Sequence, residues 1–311
     1  MGTVNTVVAT INGQTVTLTE GSNGQWSGTT TAPSSTSYVL DPQYYNVSIS
    51  ATDMASNVTT VDATHQTLGD DCKLVVKETV APVISVSTPT AGQYVSSWPT
   101  LTASLTDSGS GLDASSLVVK LDGTTVSSSD YTLTVVHQTT TGTQVVTEYS
   151  LSYTPSGTLE SGSHSFTIDI DDNDGNSATQ VTRQWNAMVS APTLDISTPA
   201  SDGTWTNVND VVFSGTTDAS TSIQSLTISV DSGTPQTVSV GSTGAWSYTA
   251  EDLTDGLHSV TVVATGLSGL TTSATRTINV DTVAPTISAV SISPNPADTG
   301  ETYIITVTVS D

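Results

Sequence analysis

The phrase Thr79-Val80-Ala81-Pro82 returns as Ser190-Ala191-Pro192 and again as Thr282-Val283-Ala284-Pro285. This recurrence limits the fold more than any other feature of the chain. The prolines fall roughly 100 residues apart, the size of one two-sheet sandwich. Further echoes keep the same phase. Ser87-Thr88-Pro89 matches Ser197-Thr198-Pro199, and Gly24-Gln25-Trp26-Ser27 matches Gly244-Ala245-Trp246-Ser247. The stretch Val47 to Asn57 aligns with Phe166 to Asn176 and with Val260 to Leu270. Each linker proline lacks a ladder donor and holds its predecessor extended, which predicts short, stiff joints. The chain is therefore read as 1–80, 81–190, 191–283 and 284–311.

Within each module the apolar period is two. Phe166-Thr167-Ile168-Asp169-Ile170 and Val47-Ser48-Ile49-Ser50-Ala51 put apolar residues on one face and polar groups on the other. Branched Val and Thr suit a half-buried pleated surface. Turn signals punctuate the strands: Asn12-Gly13, Asn23-Gly24, Asp122-Gly123, Asp202-Gly203 and Asp255-Gly256. The pattern predicts an all-β chain of short-stranded sandwiches. Val, Ile, Leu and Phe supply only about a fifth of the residues, close to the composition of disordered chains, so alternation decides for folding. Charge excludes one class of partner. Five Lys and Arg against 29 Asp and Glu, a net charge of −24, cannot displace counterions from nucleic acid. No apolar run approaches bilayer-spanning length, and Met1 leads into polar, strand-like sequence, so neither membrane insertion nor a signal peptide is expected.

The x-Ala-Pro linkers, the Gly-x-Trp-Ser strand and the Asp-x-x-x-Asn turns at Asp53 and Asp172 resemble a known group. They are similar to the tandem bacterial immunoglobulin-like (Big-type) repeats of large surface adhesins, stalks and phage virion fibres. The resemblance covers nearly the whole chain. It implies tandem immunoglobulin-like β-sandwich modules in an elongated array, acting as a non-enzymatic extracellular spacer or fibre. The location implied is a bacterial cell surface or a phage virion. The partners implied are neighbouring Ig-like modules, copies of the chain itself, or host or mucus glycans. Two rival roles stay open: a phage virion fibre or decoration protein with weak glycan binding, and an accessory module of a secreted polysaccharide-degrading enzyme.

Residues 285–311 read as the first two strands of a module, and residues 1–80 as a module lacking those strands. Tail to head, Val307-Thr308-Val309-Ser310-Asp311 followed by Gly2-Thr3-Val4-Asn5 passes as uninterrupted repeat. One expectation is an excerpt of a longer repeat chain, cut out of phase. The other is head-to-tail strand complementation, since unpaired strand edges invite an added strand.

In an immunoglobulin-type sandwich the incoming linker, the loop after the second strand and the loop before the last strand share one end. For the second module these positions hold Glu78, Asp107, Asp113, Asp171, Asp172, Asp174 and Asn176. For the module composed from both chain ends they hold Asp281, Asp311, Asp53 and Asn57. In the third they hold Met188, Asp218, Gly266 and Leu270, a single carboxylate. Converging carboxylates repel unless a hard cation neutralises them, and Ca²⁺ takes six to eight oxygens. The resemblance points the same way. Glu78, Asp107, Asp172 and Asn176 are thus one expected calcium set, and Asp53, Asn57, Asp281 and Asp311 another. The competing reading is that Asp-x-x-x-Asn only caps a tight turn.

No catalytic residue is expected. His164 and His258 occupy matching repeat positions, a structural signature, and the carboxylates of Asp169 to Asp174 lack any sign of a cleft between them. Cys72 is the sole cysteine, so no intrachain disulfide is available. Trp26 and Trp246 are expected in cores. Trp98, Trp185 and Trp205 are read as junction packing or an exposed sugar platform. The extra turn and strand over 65–77 have no explanation in the repeat.

Overall fold

The computed structural model describes residues 3–139 and 142–311. Among these, regular structure is strand throughout apart from two single-turn 3₁₀ segments, Ser22–Gly24 and Asp70–Cys72. The chain forms two compact units, Met1–Gln93 with Ser97–Ala187, and Tyr94–Ser96 with Met188–Asp311.

In the first unit, residues 3–77 contribute one sheet. Its order is Trp26–Ser27, Gln14–Glu20, Val4–Ile11, Tyr45–Asp53, Val58–Val61, with Lys73–Leu74 pairing the start of Tyr45–Asp53. Asn12 and Gly13 take φ of 47° and 75°, the left-handed pair that a two-residue hairpin needs to match strand twist. After Val58–Val61 pairs Ile49–Thr52, the chain makes an excursion through 62–72 and then resumes pairing with the same strand at Tyr45 and Asn46. Cys72 is buried in that excursion.

Residues 83–187 contribute two sheets. One runs Tyr131–Gln138, Val146–Tyr153, Leu101–Thr106, Val83–Thr88. The other is built on Leu112–Leu121, Gly162–Asp172 and Val181–Ala187. Leu101, Leu105 and Leu151 of the first and Val119, Phe166, Ile168, Ile170 and Trp185 of the second are each at most 1% exposed. Phe166, Ile168 and Ile170 are residues that alternation placed inward, whereas Trp185, read as junction packing or a sugar platform, is a core residue.

The second unit repeats the plan. Leu194–Thr198, Val211–Thr217 and Ala245–Ala250 form one sheet; Thr204–Thr206, Thr271–Val280, Gly256–Gly266, Ile223–Val230 and Gln236–Val238 form the other. Ile196, Phe213, Trp246, Leu226, Val260, Val262, Ala264 and Ile278 share one core. Two of the five basic residues serve the same purpose in successive modules. Arg183 donates to the Val86 carbonyl at 2.9 Å and Arg276 to the Ile196 carbonyl at 2.7 Å, tying the last strand to the first. Beyond this sandwich, among the described residues, Thr286–Ser293 and Ile304–Ser310 pair only with each other, as a two-stranded sheet with every residue exposed.

Candidate metal centre

The segment leading to Glu78 is pinned before it arrives. Ser37 N–H donates to the Val76 carbonyl at 2.8 Å, and Val76 N–H returns a bond to Ser37 Oγ at 3.1 Å. Asp174 Oδ2 then accepts from Thr36 Oγ1 at 2.6 Å and from Glu78 N–H at 3.0 Å, while Lys77 Nζ donates to the Asp174 carbonyl at 3.0 Å. These contacts hold the Glu78 carboxylate over the loop 107–111, where it accepts from the Ser110 N–H. At Gly109 a Cβ would overlap that carboxylate, the mobile end of the Glu78 side chain, and would push it aside.

Asp107 Oδ2 accepts from Gly109 N–H at 3.0 Å and Gly111 N–H at 2.7 Å, closing a tight loop in which Gly111 has φ of 79°. Its Oδ1 is buried and has no hydrogen-bond partner among the described residues. Asp172 Oδ1 accepts from Asn176 N–H at 2.8 Å and Oδ2 from Asn176 Nδ2 at 2.7 Å. One carboxylate oxygen from each of Glu78, Asp107 and Asp172 lies within 4.8 Å of the others, with Asp107 5% and Asp172 2% exposed. Burial pushes the Asp107 carboxyl above its usual range and the Asp172 charge adds to this, against the opposing Gly111 and Gly109 N–H bonds. Such a group of close carboxylates, two of them buried and one oxygen lacking a donor among the described residues, fits a hard cation with oxygen ligands.

The other expected residues divide. Asn176 clamps the turn and also donates to the Glu78 carbonyl at 3.3 Å. Asp113 is taken up locally by Ser115 Oγ at 2.6 Å, and Asp171 is its strand partner. In the first sheet Asp53 repeats the Asp172 turn, accepting from Asn57 N–H at 2.8 Å and Asn57 Nδ2 at 2.9 Å; the Asn57 side chain holds its carboxyl below the usual range. Asp281 and Asp311 lie in the second unit, Asp281 accepting from Val283 N–H at 3.1 Å. In the third module the turn survives as Gly266 N–H to Leu270 carbonyl, 2.9 Å, without its carboxylate, and Asp218 accepts from Thr193 Oγ1. Turn capping is thus shown at Asp53 and Asp172, yet it leaves Asp107 Oδ1 unexplained. Thr36 and Ser110 escaped sequence reasoning. Thr36 stands 138 positions from Asp174, and the one available signal was the tract Ser108-Gly109-Ser110-Gly111.

The tryptophans separate by burial. Trp185 and Trp246 are core residues at 0% and 4%, Trp26 and Trp98 are half-buried, and Trp205 is 70% exposed. Trp98 and Trp185 flank the His164 ring at 5.4 and 5.7 Å between centroids.

The two-sheet topology with its Greek-key strand order defines an immunoglobulin-like β-sandwich repeat, a structural module. Residues 188–282 match the family described as bacterial Ig-like domain. No curated protein matches the chain. Among solved structures, the fibronectin(III)-like modules of Clostridium thermocellum CbhA are 16% identical, covering 64% of this chain and 94% of that one, with a TM-score of 0.36. A tetra-tandem repeat from the extending region of a large adhesion protein is 19% identical, covering 98% and 79%, with a TM-score of 0.32. A Bacteroides ovatus mixed-linkage glucan utilization protein, SGBP-B in complex with a heptasaccharide, is 18% identical, covering 92% and 62%, with a TM-score of 0.19. Among the described residues no helix is long and apolar enough to cross a membrane.

Proposed function

We propose that the chain is an extracellular, non-enzymatic spacer of immunoglobulin-like repeats, stiffened by calcium where Glu78 enters the second module. The observation that carries the calcium reading is Asp107 itself: it is buried, its Oδ1 has no hydrogen-bond partner among the described residues, and one of its oxygens lies within 4.8 Å of Glu78 and Asp172 carboxylate oxygens. Glu78, Asp107 and Asp172 would hold the ion, which supplies charge neutralisation and a cross-link between linker, loop and turn. The chain's own residues do the positioning: Thr36 and Asp174 fix the linker, Gly109 admits the Glu78 carboxylate, and Asn176 orients Asp172. A net charge of −24 keeps such a spacer soluble and self-repelling.

Calorimetric titration with calcium chloride, paired with melting curves in calcium and in EDTA, tests this reading. Saturable heat and a higher Tm in calcium are expected. No heat together with an unchanged Tm removes calcium and leaves an unmetallated spacer.

A second reading, weak glycan binding, is favoured by one feature. Trp205 and Leu257, 70% and 67% exposed, both pair with Asn279 in one cross-strand row. Aromatic faces flanked by amides suit sugar rings. A glycan array with Trp205→Ala as the control decides it: loss of signal in the variant supports binding, and a blank array for the native chain ends it.

A further inference from the structure

The loop 34–40 reaches from the first sheet into the second module, within one compact unit. Thr36 and Ser37 are 5% and 1% exposed there, although neither belongs to a strand. Hydroxyls withdrawn that far from water need partners to replace it. Thr36 Oγ1 donates to Asp174 Oδ2, and Ser37 exchanges bonds with the Val76 backbone. At the far end of the loop, the Val39 carbonyl accepts from Thr143 N–H at 2.9 Å and the Leu40 carbonyl from Thr143 Oγ1 at 2.6 Å. The approach is close: a Cβ at Gly142 would collide with the Val39 carbonyl.

Both ends of this contact lead to the three carboxylates. Asp174 Oδ2 is shared by Thr36 Oγ1 and Glu78 N–H, and Asp174 N–H donates to Ser110 Oγ at 3.1 Å. Ser110 is fully buried and closes the circuit by donating its own N–H to the Glu78 carboxylate. Asp174 also belongs to the turn that Asp172 opens and Asn176 clamps. On the other side, four residues beyond Thr143, the Thr147 carbonyl accepts from Asp107 N–H at 3.0 Å. One loop is thereby tied to the segments that carry Glu78, Asp107 and Asp172.

We propose that the loop 34–40 is a clamp on the cation site, so that seating of the loop and binding of calcium strengthen each other. This rests on the calcium reading and names its regulation. Lifting the loop takes Thr36 from Asp174, which slackens the Glu78 main chain and the turn below it, and mutually repelling carboxylates then spread. A bound cation opposes that spread and so holds the loop down. Such coupling is reciprocal: the factor by which seating raises calcium affinity is the factor by which calcium favours seating. Thr36 and Thr143 are positioning residues, since neither offers an oxygen to the cluster of Glu78, Asp107 and Asp172.

Calorimetric titration of the full chain with calcium chloride tests the proposal. Thr36→Val and Thr143→Val are each expected to weaken calcium binding by about fivefold, the size of one lost hydrogen bond. Thr36→Ser and Thr143→Ser keep the hydroxyl and are expected to restore native affinity, which distinguishes the bond from mere bulk at either position. Hydrogen exchange of the native chain reads the reverse direction. The Thr143 amide, bonded to the Val39 carbonyl and outside the cluster, is expected to exchange more slowly in calcium than in EDTA. Native affinity in both valine variants, or a Thr143 amide indifferent to calcium, overturns the clamp and leaves the calcium spacer standing. A native chain that gives no heat and no change in Tm overturns both.

Discussion

His258 Nδ1 lies 2.7 Å from Asp231 Oδ2, and the same pair recurs in the preceding module as His164 and Asp122 at 2.7 Å. Each ring's Nε2 also faces a carbonyl, Thr254 at 2.7 Å and Glu160 at 2.9 Å. Two acceptors around one imidazole are both satisfied only by the doubly protonated ring. The Asp231 carboxylate, then the Thr254 carbonyl, therefore raise the His258 pKa above its ordinary value. For His164 burial pulls down, but the Glu160 carbonyl and Asp122 carboxylate prevail and the net shift is also upward.

A raised folded-state pKa means the folded chain binds the proton more tightly than the unfolded one. The stabilisation is complete below the unfolded value of about 6.5 and is lost as pH climbs through the folded value. The transition of the second unit is expected to fall in temperature between weakly acidic and alkaline buffer. His258→Gln is expected to flatten that dependence. Calorimetric melting across the pH series reads both.

Asp107→Asn separates cost from function at the proposed cation site. Without metal, a buried carboxylate oxygen with no donor is destabilising by roughly 1–3 kcal/mol. In EDTA the variant is expected to melt at or above the native chain, and in calcium below it. The crossing of the two curves is the outcome to look for; parallel curves would argue against a metal there.

Gly109→Ala drives a methyl into the Glu78 carboxylate. Expelling that ligand is expected to weaken calcium binding by about tenfold or more, equivalent to about 1.4 kcal/mol. Calorimetric titration measures it, and the melting of the second unit serves as an internal control.

Two positions on the strand Val211–Thr217 should respond differently to alanine. Phe213, fully buried between the sheets of the third module, is expected to cost about 3–5 kcal/mol when cut to alanine. Gly215→Ala is expected to cost about 1–3 kcal/mol, since its Cβ meets the Asp195 carbonyl and backbone cannot easily yield. Urea unfolding of each variant provides the comparison.

Much of this molecule was legible from its repeats. Phe166, Ile168 and Ile170 point inward because a pleated strand alternates with period two, which the sequence displays without help from neighbours. Asn12-Gly13 marks a hairpin because few other pairs accept two left-handed residues in succession. The Asp172–Asn176 clamp was readable for the same reason: its partners are four residues apart.

Other features were hidden because their partners are distant. The excursion over 62–72 is closed by Leu74 pairing opposite Tyr45, a partner far away in sequence. Thr36 and Asp174, the bond that aims Glu78, share no local pattern at all. Local chemistry, namely alternation, turn residues and linker prolines, set the sandwich fold and its repetition, since each acts through near neighbours along the backbone. Which carboxylate oxygen is left buried without a donor, and which residues pin Glu78 over its loop, depends on how separate strands and loops pack. Those are properties of packing in three dimensions, and only the tertiary structure decided them.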